Sequence, residues 1–264
     1  MPVLLLERPT SEEHPAPRPV ADQRGWRRWR GWIEAVALFV VYQSFEWLRT
    51  QTAGSPTVAQ RNARQIVAAE RRLGLFHERA IQQWFLPHHF VVELWDFYYG
   101  TIHFAVPVVA LWLLWRRTPD RYRHHLNALA AATLLGLVGF WLYPLAPPRL
   151  LPAHYGFVDT AGRIGGMGVF DSGSMRDTGN LFAAMPSLHL TWSTWCAIVL
   201  VPVLRRPWLK ALAILYPLIT LAAVVITGNH YLLDAVGGWI VLAAGWLIAT
   251  AIERSMAKVV PLGS

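Results

Sequence analysis

The chain of 264 residues has one cysteine and few charged side chains, and both shortages exclude whole classes of protein. A single cysteine, Cys196, cannot form a disulfide within the chain, so a small disulfide-stabilised fold is excluded. Charged residues make up only 15% of the chain, which is well below the share in an average globular protein. Hydrophobic residues make up 54%, and this excludes a disordered chain, because disorder requires low hydrophobicity.

The net charge of +8 does not indicate a nucleic-acid-binding protein. A soluble nucleic-acid binder carries its basic residues on a polar face, and such a face is not evident in a sequence this apolar. The 14 tryptophans and the long hydrophobic runs favour a bilayer environment instead. We therefore expect membrane lipids, and no nucleic acid, among the partners of the chain.

Six segments are apolar and long enough to cross a bilayer, which requires roughly 20 mostly apolar residues. The predicted spans are residues 32–48, 91–115, 126–143, 187–204, 209–226 and 232–252. The predicted fold is therefore all-α, a polytopic membrane protein with six transmembrane helices. In domain terms, we expect a basic N-terminal segment at 1–31, a membrane domain at 32–252 and a tail at 253–264.

Basic residues predict which side of the membrane each connection faces, because cytoplasmic loops are enriched in Lys and Arg. With six spans, 15 of the 24 Lys and Arg residues fall on one side, and both termini are then cytoplasmic. The 15 are the six Arg of residues 1–31 with Arg116, Arg117, Arg121, Arg123, Arg205, Arg206, Lys210, Arg254 and Lys258. We expect a plasma-membrane protein in which residues 50–90, residues 144–186 and the turn at Gly228 face outward.

Two of the outward segments carry more pattern than a simple connection. Apolar and charged residues alternate over residues 58–73, Gly74 ends that stretch, and a second short stretch follows at 78–85. This pattern predicts interfacial amphipathic helices on the outer face, with solvated helices packed on the bundle as the alternative. Residues 144–186 form a long outer loop rich in Gly and Pro, and its length favours a functional role.

Polar residues gather at the outer ends of three predicted spans. Pro-Ser-Leu-His at 186–189 opens the fourth span, and Gly-Asn-His-Tyr-Leu-Leu-Asp at 228–234 opens the sixth. The third span ends in Tyr-Pro-Leu-Ala-Pro-Pro-Arg at 143–149. Topology alone places these three motifs on the same face, and ionisable groups that coincide at one depth of a membrane protein favour a functional site.

The residue types in these motifs are suited to phosphate chemistry. His230 and Asp234 are four residues apart, so on a helix they share a face and can form a hydrogen bond. A carboxylate that accepts from one imidazole nitrogen fixes the tautomer and makes the other nitrogen a better nucleophile. Ser187 and backbone N–H groups at a helix start form an anion seat, and the planar guanidinium of Arg149 can clamp an oxyanion.

Further polar residues suggest a pocket for the substrate. Asp96 and His103 lie within the second predicted span, and a buried histidine at that depth is costly unless it faces a polar cavity. We interpret Asp96, His103 and Tyr231 as lining a head-group or acceptor pocket. The alternative is that they pair with one another or with the backbone.

The motifs resemble those of the type-2 phosphatidic acid phosphatase superfamily over residues 60–250. The second motif of that superfamily, Pro-Ser-x-His, matches residues 186–189, and the third motif ends in His-x-x-x-Asp, which matches 230–234. The usual Ser-Arg is absent from the apolar stretch 221–226, and residues 143–149 offer one Arg and no Lys. A third motif without that Arg is similar to the membrane branch of inositol phosphorylceramide synthase and sphingomyelin synthase.

The resemblance implies a metal-independent lipid phosphatase or phosphotransferase that needs no cofactor. His230 would attack phosphorus to form a phosphohistidine, and Asp234 would orient it. His189 would protonate the leaving oxygen and then activate a hydroxyl acceptor or water. Arg149 and Ser187 would bind the phosphate, and the partners would be a lipid-linked phosphate and a polar alcohol. Other outward arginines that could replace the missing clamp are Arg71, Arg72, Arg163 and Arg176.

Readings from other classes stay open at this point. Two histidines and an aspartate can be metal ligands, with His154 as the obvious extra candidate, which would give a metal-dependent membrane hydrolase. A transporter would more often contain two repeated halves with broken helices, and no internal repeat is visible. Within the phosphoryl-transfer reading, an inositol phosphorylceramide synthase-like phosphotransferase and a plain lipid phosphate phosphatase differ only in whether a hydroxyl or water attacks the intermediate.

Overall fold

Long helices make up most of the computed structural model, which describes Trp47, residues 54–164 and residues 180–259. In chain order these helices are α1 (Pro56–Leu73), α2 (Glu78–Phe85), α3 (His89–Arg117), α4 (Pro119–Leu142), α5 (Thr160–Ile164), α6 (Leu188–Val203), α7 (Pro207–Ile226) and α8 (Leu232–Val259). The connection after α4 contains two single 3₁₀ turns, Pro148–Leu150 and Ala153–Tyr155. The described residues contain no strand beyond one isolated bridge, so the all-α prediction is confirmed for them.

Four of the described helices, α3, α4, α7 and α8, are long and apolar enough to cross a membrane. They coincide with the predicted second, third, fifth and sixth spans, and they make the chain an integral membrane protein. At the predicted fourth span, α6 is apolar but has only 16 residues. A helix of that length extends about 24 Å, less than the ~30 Å hydrocarbon core of a typical bilayer. The predicted first span, apart from Trp47, lies outside the described residues, so the total of six spans stays a prediction.

Proline and glycine define several of the helix ends. Pro56, Pro119 and Pro207 each occupy the first turn of a helix, where a missing N–H costs nothing because that group has no partner within the helix. Gly74 ends α1 with φ of 69°, a left-handed conformation that favours glycine. The predicted helices at 58–73 and 78–85 therefore exist, with ends close to the predicted ones.

The helix α3 is irregular at its centre. Residues Tyr98–Ile102 form a π-helical turn, and Pro107 follows within the helix. Because proline has no N–H, the carbonyl of His103 loses its usual partner, and the hydroxyl of Tyr216 in α7 donates to it at 3.2 Å instead. Single π-helical turns often occur at functional sites, and this one carries side chains that reach the site described below.

Glycines allow α8 to pack closely on its neighbours. A β-carbon on Gly238 would lie 2.4 Å from the carbonyl oxygen of Ser187 at the start of α6. A β-carbon on Gly245 would lie 2.6 Å from the backbone nitrogen of Ala132 in α4. Small residues at such crossings bring helix backbones into contact in membrane proteins. The close crossing at Gly238 is what joins the starts of α6 and α8, which hold the site.

The amphipathic helix α1 turns its apolar face towards the protein. Its buried apolar residues pack against the connection after α4 and against Tyr231, which immediately precedes α8. The residues on this face of α1 are Ala59, Ala63, Ile66 and Val67. The structure therefore agrees with a helix packed on the bundle, and the interfacial position of α1 and α2 stays a prediction.

Candidate active site

An imidazole and a carboxylate pair lies at the start of α8. His230 lies two residues before the first residue of the helix, and its Nδ1 lies 3.2 Å from Oδ2 of Asp234 in the first turn. The same carboxylate oxygen accepts from the backbone N–H of Tyr231 at 2.9 Å. His230 is 3% exposed and Asp234 is fully buried. Since a carboxylate only accepts, Nδ1 of His230 carries the hydrogen, and its Nε2 presents a lone pair.

A second imidazole faces that lone pair. His189 is the second residue of α6, and its Nδ1 lies 3.1 Å from Nε2 of His230. Because Nε2 of His230 accepts in the tautomer fixed by Asp234, Nδ1–H of His189 is the donor. The geometry thus aligns a carboxylate and two imidazoles in one continuous chain of contacts.

Aromatic rings at and directly after the π-helical turn of α3 pack on His189. The ring of Tyr99 stacks on it with centroids 4.5 Å apart and an interplanar angle of 23°. The ring of His103 lies 4.6 Å away at a tilt of 38°. Trp192, one turn along α6, stacks on His103 at 5.9 Å. Packing of this kind fixes the plane of His189, and the sequence analysis gave no role to Tyr99.

Ser187 occupies the cap of α6 directly beside this chain of contacts. Its hydroxyl accepts from the backbone N–H of Leu190 at 3.4 Å, as a helix cap does. Its own backbone N–H donates to the carbonyl of Asp234 at 3.0 Å, and the residue is fully buried. The start of α6 is therefore connected directly to the first turn of α8, and phosphate binding by Ser187 stays a prediction.

The side chain of Arg149 lies against the turn that leads into α8. Its guanidinium donates to Oδ1 of Asn229, and its Nε lies 3.7 Å from Oδ1 of Asp159. Its backbone N–H donates to the carbonyl of Gly228 at 2.9 Å. Asn229 in turn donates from Nδ2 to the hydroxyl of Thr227 at 2.7 Å. The loop after α4 thus places a cation against Asn229, the residue that precedes His230.

The other outward arginines have different surroundings. Arg71 stacks on the ring of Phe76 at 4.9 Å, and Arg72 is exposed. Arg163 is exposed on the short helix α5, and Arg176 lies outside the described residues. Of the described arginines named as clamp candidates, Arg149 is the one that contacts the turn before His230.

The predicted pocket residues separate into three environments. Asp96 in α3 is buried and accepts from the hydroxyl of Thr160 in α5 at 3.0 Å. His103 is buried within the bundle, beside His189 and the hydroxyl of Tyr216. Tyr231 is fully buried, and its hydroxyl donates to a backbone carbonyl of the connection after α4 at 3.0 Å. Burial near carboxylates raises the pKa of the Tyr231 phenol, which keeps it neutral.

Two buried glutamates near the site were not identified as site residues from the sequence. Glu70 of α1 and Glu78 of α2 are both fully buried and accept hydrogen bonds from the first backbone N–H groups of α8. In the sequence, Glu70 is one of the charged residues of the amphipathic stretch 58–73. The signal was present, however, because Glu70 follows Ile66 by four positions and Val67 by three, and so lies on the buried face.

The metal-site alternative requires further ligands beside the two histidines and Asp234. Within residues 54–164 and 180–259, no three or more His, Cys, Asp or Glu side chains form a group that could hold a metal ion. His154, the extra ligand considered from the sequence, is exposed, and its ring packs on the neighbouring Tyr155 at 4.4 Å.

The geometry can be compared with known families. The family model for the PAP2 superfamily matches residues 64–248, which is most of the chain. The chain belongs to the PAP2 superfamily. The match begins within α1, ends within α8 and contains all three polar motifs. PAP2 superfamily members are phosphatases and phosphotransferases, so membership supports enzymatic lipid phosphate chemistry in general. No curated protein and no solved structure matched the chain.

Proposed function

We propose that this PAP2 superfamily protein is a membrane phosphotransferase that acts on a lipid-linked phosphate through a phosphohistidine at His230. The observation that carries the proposal is the continuous chain of contacts from Asp234 through His230 to His189. A nucleophile oriented by a carboxylate and facing a proton donor is the minimum required for two-step phosphoryl transfer. Substrate phosphorus would lie between the two imidazoles and replace their mutual contact.

The first half-reaction forms the intermediate. Nε2 of His230 attacks phosphorus and forms a P–N bond, while the bond between phosphorus and the lipid oxygen breaks. Nδ1–H of His189 gives its proton to that leaving oxygen. Asp234 stabilises the positive charge that develops on His230, because it accepts the Nδ1 hydrogen.

The second half-reaction transfers the phosphoryl group to an acceptor. His189, now without its proton, accepts one from a hydroxyl group or from water, and the activated oxygen attacks phosphorus. The P–N bond breaks, and His230 returns to its starting state. A head group attached to the phosphate is carried along, so an alcohol acceptor yields a new phosphodiester, which is a lipid when the acceptor is a lipid alcohol, and water yields the free head-group phosphate. A phosphate without a head group is released by water as inorganic phosphate.

Arg149 is the group we assign to the phosphate oxygens. Its guanidinium lies between Asn229 and Asp159, and Asn229 directly precedes His230 in the chain. A guanidinium has five N–H donors in a planar fork, so bonds to both partners leave donors for a phosphate. Ser187, at the start of α6, is assigned to the same anion.

We assign the site to the outer face of the plasma membrane, with both termini in the cytoplasm. The support is the distribution of basic residues along the sequence. The long helices that flank the site present apolar surface, which suits a substrate whose acyl or prenyl chains stay in the bilayer. The head-group transfer reading is supported by the third motif, which lacks the usual arginine, as in inositol phosphorylceramide synthase and sphingomyelin synthase.

The test is incubation of purified protein with labelled phosphatidate, polyprenyl phosphate and phosphatidylinositol, each with and without candidate alcohols. A new phosphate ester of the added alcohol (a phosphodiester when phosphatidylinositol is the donor) supports transfer. Release of inorganic phosphate from the two monoesters, or of inositol phosphate from phosphatidylinositol, with or without the alcohol identifies a plain lipid phosphatase. The His230→Ala protein is expected to be inactive in both assays. Near-normal turnover by that variant would overturn the proposed nucleophile.

A second arm tests whether a metal takes part. We expect turnover to survive EDTA and to be inhibited by vanadate, because two imidazoles and a carboxylate provide the nucleophile and the acid. Loss of turnover in EDTA with recovery on addition of zinc would contradict the proposal and favour the metal-dependent hydrolase.

A further inference from the structure

Two glutamates from different helices meet at the start of α8. Oε1 of Glu78 accepts from the backbone N–H of Leu232 at 2.9 Å, and Oε1 of Glu70 accepts from Leu233 at 2.8 Å. Both side chains are fully buried. Glu70 lies in the last turns of α1 and Glu78 begins α2, so the turn between these helices folds the two carboxyl groups onto the same target.

These bonds complete a run of three consecutive backbone donors. The N–H of Tyr231 binds Asp234, and the next two N–H groups bind the two glutamates. The first N–H groups of a helix have no partner within the helix and are a common site for carboxylates. Here the same turn begins one residue after His230 and contains Asp234. Its conformation therefore sets the distance between nucleophile and orienting carboxylate.

Each glutamate has a second carboxyl oxygen that is not used in its bond to α8. Oε2 of Glu70 and Oε2 of Glu78 are both buried and have no hydrogen-bond partner among the described residues. Within residues 54–164 and 180–259, no ion pair joins either glutamate to an arginine, lysine or histidine. The two carboxyl groups are held by adjacent backbone N–H groups, and two ionised carboxylates held this way repel one another, whereas a proton on one of them allows it to donate to the other.

The surroundings favour that proton. Burial and the neighbouring Glu78 raise the pKa of Glu70 well above its ordinary value. The titratable groups that face the pair are Asp234 and Tyr231, at the start of α8, and neither supplies a positive charge. Two nearby cations point elsewhere, since Arg71 stacks on Phe76 and the guanidinium of Arg79 lies at Gly156.

We propose that Glu70 and Glu78 share one proton and together act as positioning residues that hold the turn carrying His230 and Asp234. With one proton the pair has a single negative charge, which suits the positive end of α8. Without the proton, the carboxylates of Glu70, Glu78 and Asp234 would all be ionised around one buried turn. Their mutual repulsion would disfavour the ionised form of Asp234 that accepts from His230. This inference rests on the proposed function of His230 and Asp234.

The first test compares Gln and Ala variants of the pair in the lipid phosphate assay. In Glu78→Gln, the amide oxygen still accepts from Leu232, and the amide N–H replaces the shared proton as donor to Glu70. We expect kcat to stay within about threefold of wild type, because every hydrogen bond is retained. In Glu78→Ala both bonds are lost, and we expect kcat to fall at least about tenfold with KM nearly unchanged, since only alignment is impaired. The control is Glu253→Gln, an exposed glutamate near the far end of α8.

The second test detects the proton without any turnover. The infrared spectrum of wild type minus Glu78→Gln is expected to contain the C=O band of a protonated carboxyl group. Above the ordinary pKa of glutamate, the unfolded chain has released this proton, whereas the folded state still holds it. The free energy of unfolding therefore falls as pH rises. The melting temperature of wild type should therefore fall more steeply with pH, from about pH 5 to about pH 8, than that of Glu78→Gln.

The outcomes separate the two proposals. An absent carboxyl band, or equal pH slopes in the two proteins, would overturn the shared proton. A normal kcat in Glu78→Ala would overturn the positioning role. If Glu78→Ala does not fold, Glu78→Gln decides the question, and a loss of kcat beyond about tenfold in that variant would overturn the positioning role. If the band and the pH slope are present but wild type transfers no phosphate from any lipid, the proposed function fails while the proton-sharing pair stands.

Discussion

At the scale of single residues, the site depends on which nitrogen of each histidine carries the hydrogen. Asp234 contacts Nδ1 of His230 and leaves Nε2 facing His189. The sequence alone was enough to pair His230 with Asp234, because four residues equal about one helical turn. It could not place His189 against His230, because 41 residues separate them and only the crossing of α6 and α8 brings them together.

The first prediction concerns Asp234. In Asp234→Asn the amide can donate to Nδ1 of His230, so the nucleophile is held in the wrong tautomer. We expect kcat to fall by about 10³- to 10⁴-fold, as for the orienting aspartate of a protease triad. Turnover of a labelled lipid phosphate measures this. The matched control is Asp120→Asn, an exposed aspartate in the first turn of α4, which should keep wild-type turnover. Wild-type turnover in Asp234→Asn would remove Asp234 from the mechanism.

The second prediction concerns Arg149. Arg149→Lys keeps the charge but loses the planar fork that binds Asn229 and a phosphate at the same time. We expect kcat/KM to fall by about 10- to 100-fold, the loss expected for one or two hydrogen bonds to a charged group. Arg64→Lys, on the exposed side of α1, is the control and should have no effect. Equal kcat/KM values for the two variants would mean that another cation binds the phosphate.

At the scale of elements, two features of the backbone position the site. The π-helical turn of α3 carries Tyr99 and leads directly into His103, and both rings pack on His189. Hydrophobicity predicted this span but not its irregular turn, because periodicity averages over such local changes. The same limit explains Glu70: its charge suggested a solvated face, whereas its spacing from Ile66 and Val67 placed it on the buried one.

The third prediction uses two glycines with the same backbone conformation. Gly228 and Gly74 both have φ of 69°, so alanine at either costs about 1–2 kcal/mol of backbone strain. A β-carbon on Gly228 would also lie 2.8 Å from Nε2 of Gln82 and 3.3 Å from Cβ of Arg149. At Gly74 nothing lies within 4 Å. We expect both alanine variants to have lower melting temperatures, but only Gly228→Ala to lose activity.

The result that would contradict this prediction is equal activity in the two glycine variants. It would mean that the turn before His230 tolerates a shift of Arg149 or Gln82, and that the position of Arg149 is not tied to turnover. Melting temperature and turnover are measured on the same preparations, so loss of fold and loss of site geometry are separated.

At the scale of the whole molecule, exposed tryptophans lie near both ends of the helix bundle. Trp112 and Trp208 are exposed near the end that carries the basic residues, and Trp84 and Trp141 near the end that carries the site. Tryptophan is enriched at both membrane interfaces. The exposure of Trp84 on α2 supports the predicted interfacial position of that helix.

The fourth prediction tests the orientation of the bundle. The only cysteine, Cys196, is fully buried in α6, so wild type should not react with a membrane-impermeant maleimide. Arg163→Cys on α5 should be labelled in intact cells, whereas Arg254→Cys near the end of α8 should be labelled only after permeabilisation. Both positions are exposed. The reverse pattern would place the site on the cytoplasmic side and contradict the charge distribution argument.

The covalent intermediate at His230 is the central claim, and rapid-quench trapping tests it most directly. Wild-type protein mixed with a substrate labelled at phosphorus should carry label that is stable in base, lost in acid and absent from His230→Ala. His154→Ala, an exposed histidine of the outer loop, should carry the same label as wild type. Turnover by wild type without any trapped label, or label that persists in His230→Ala, would contradict the account.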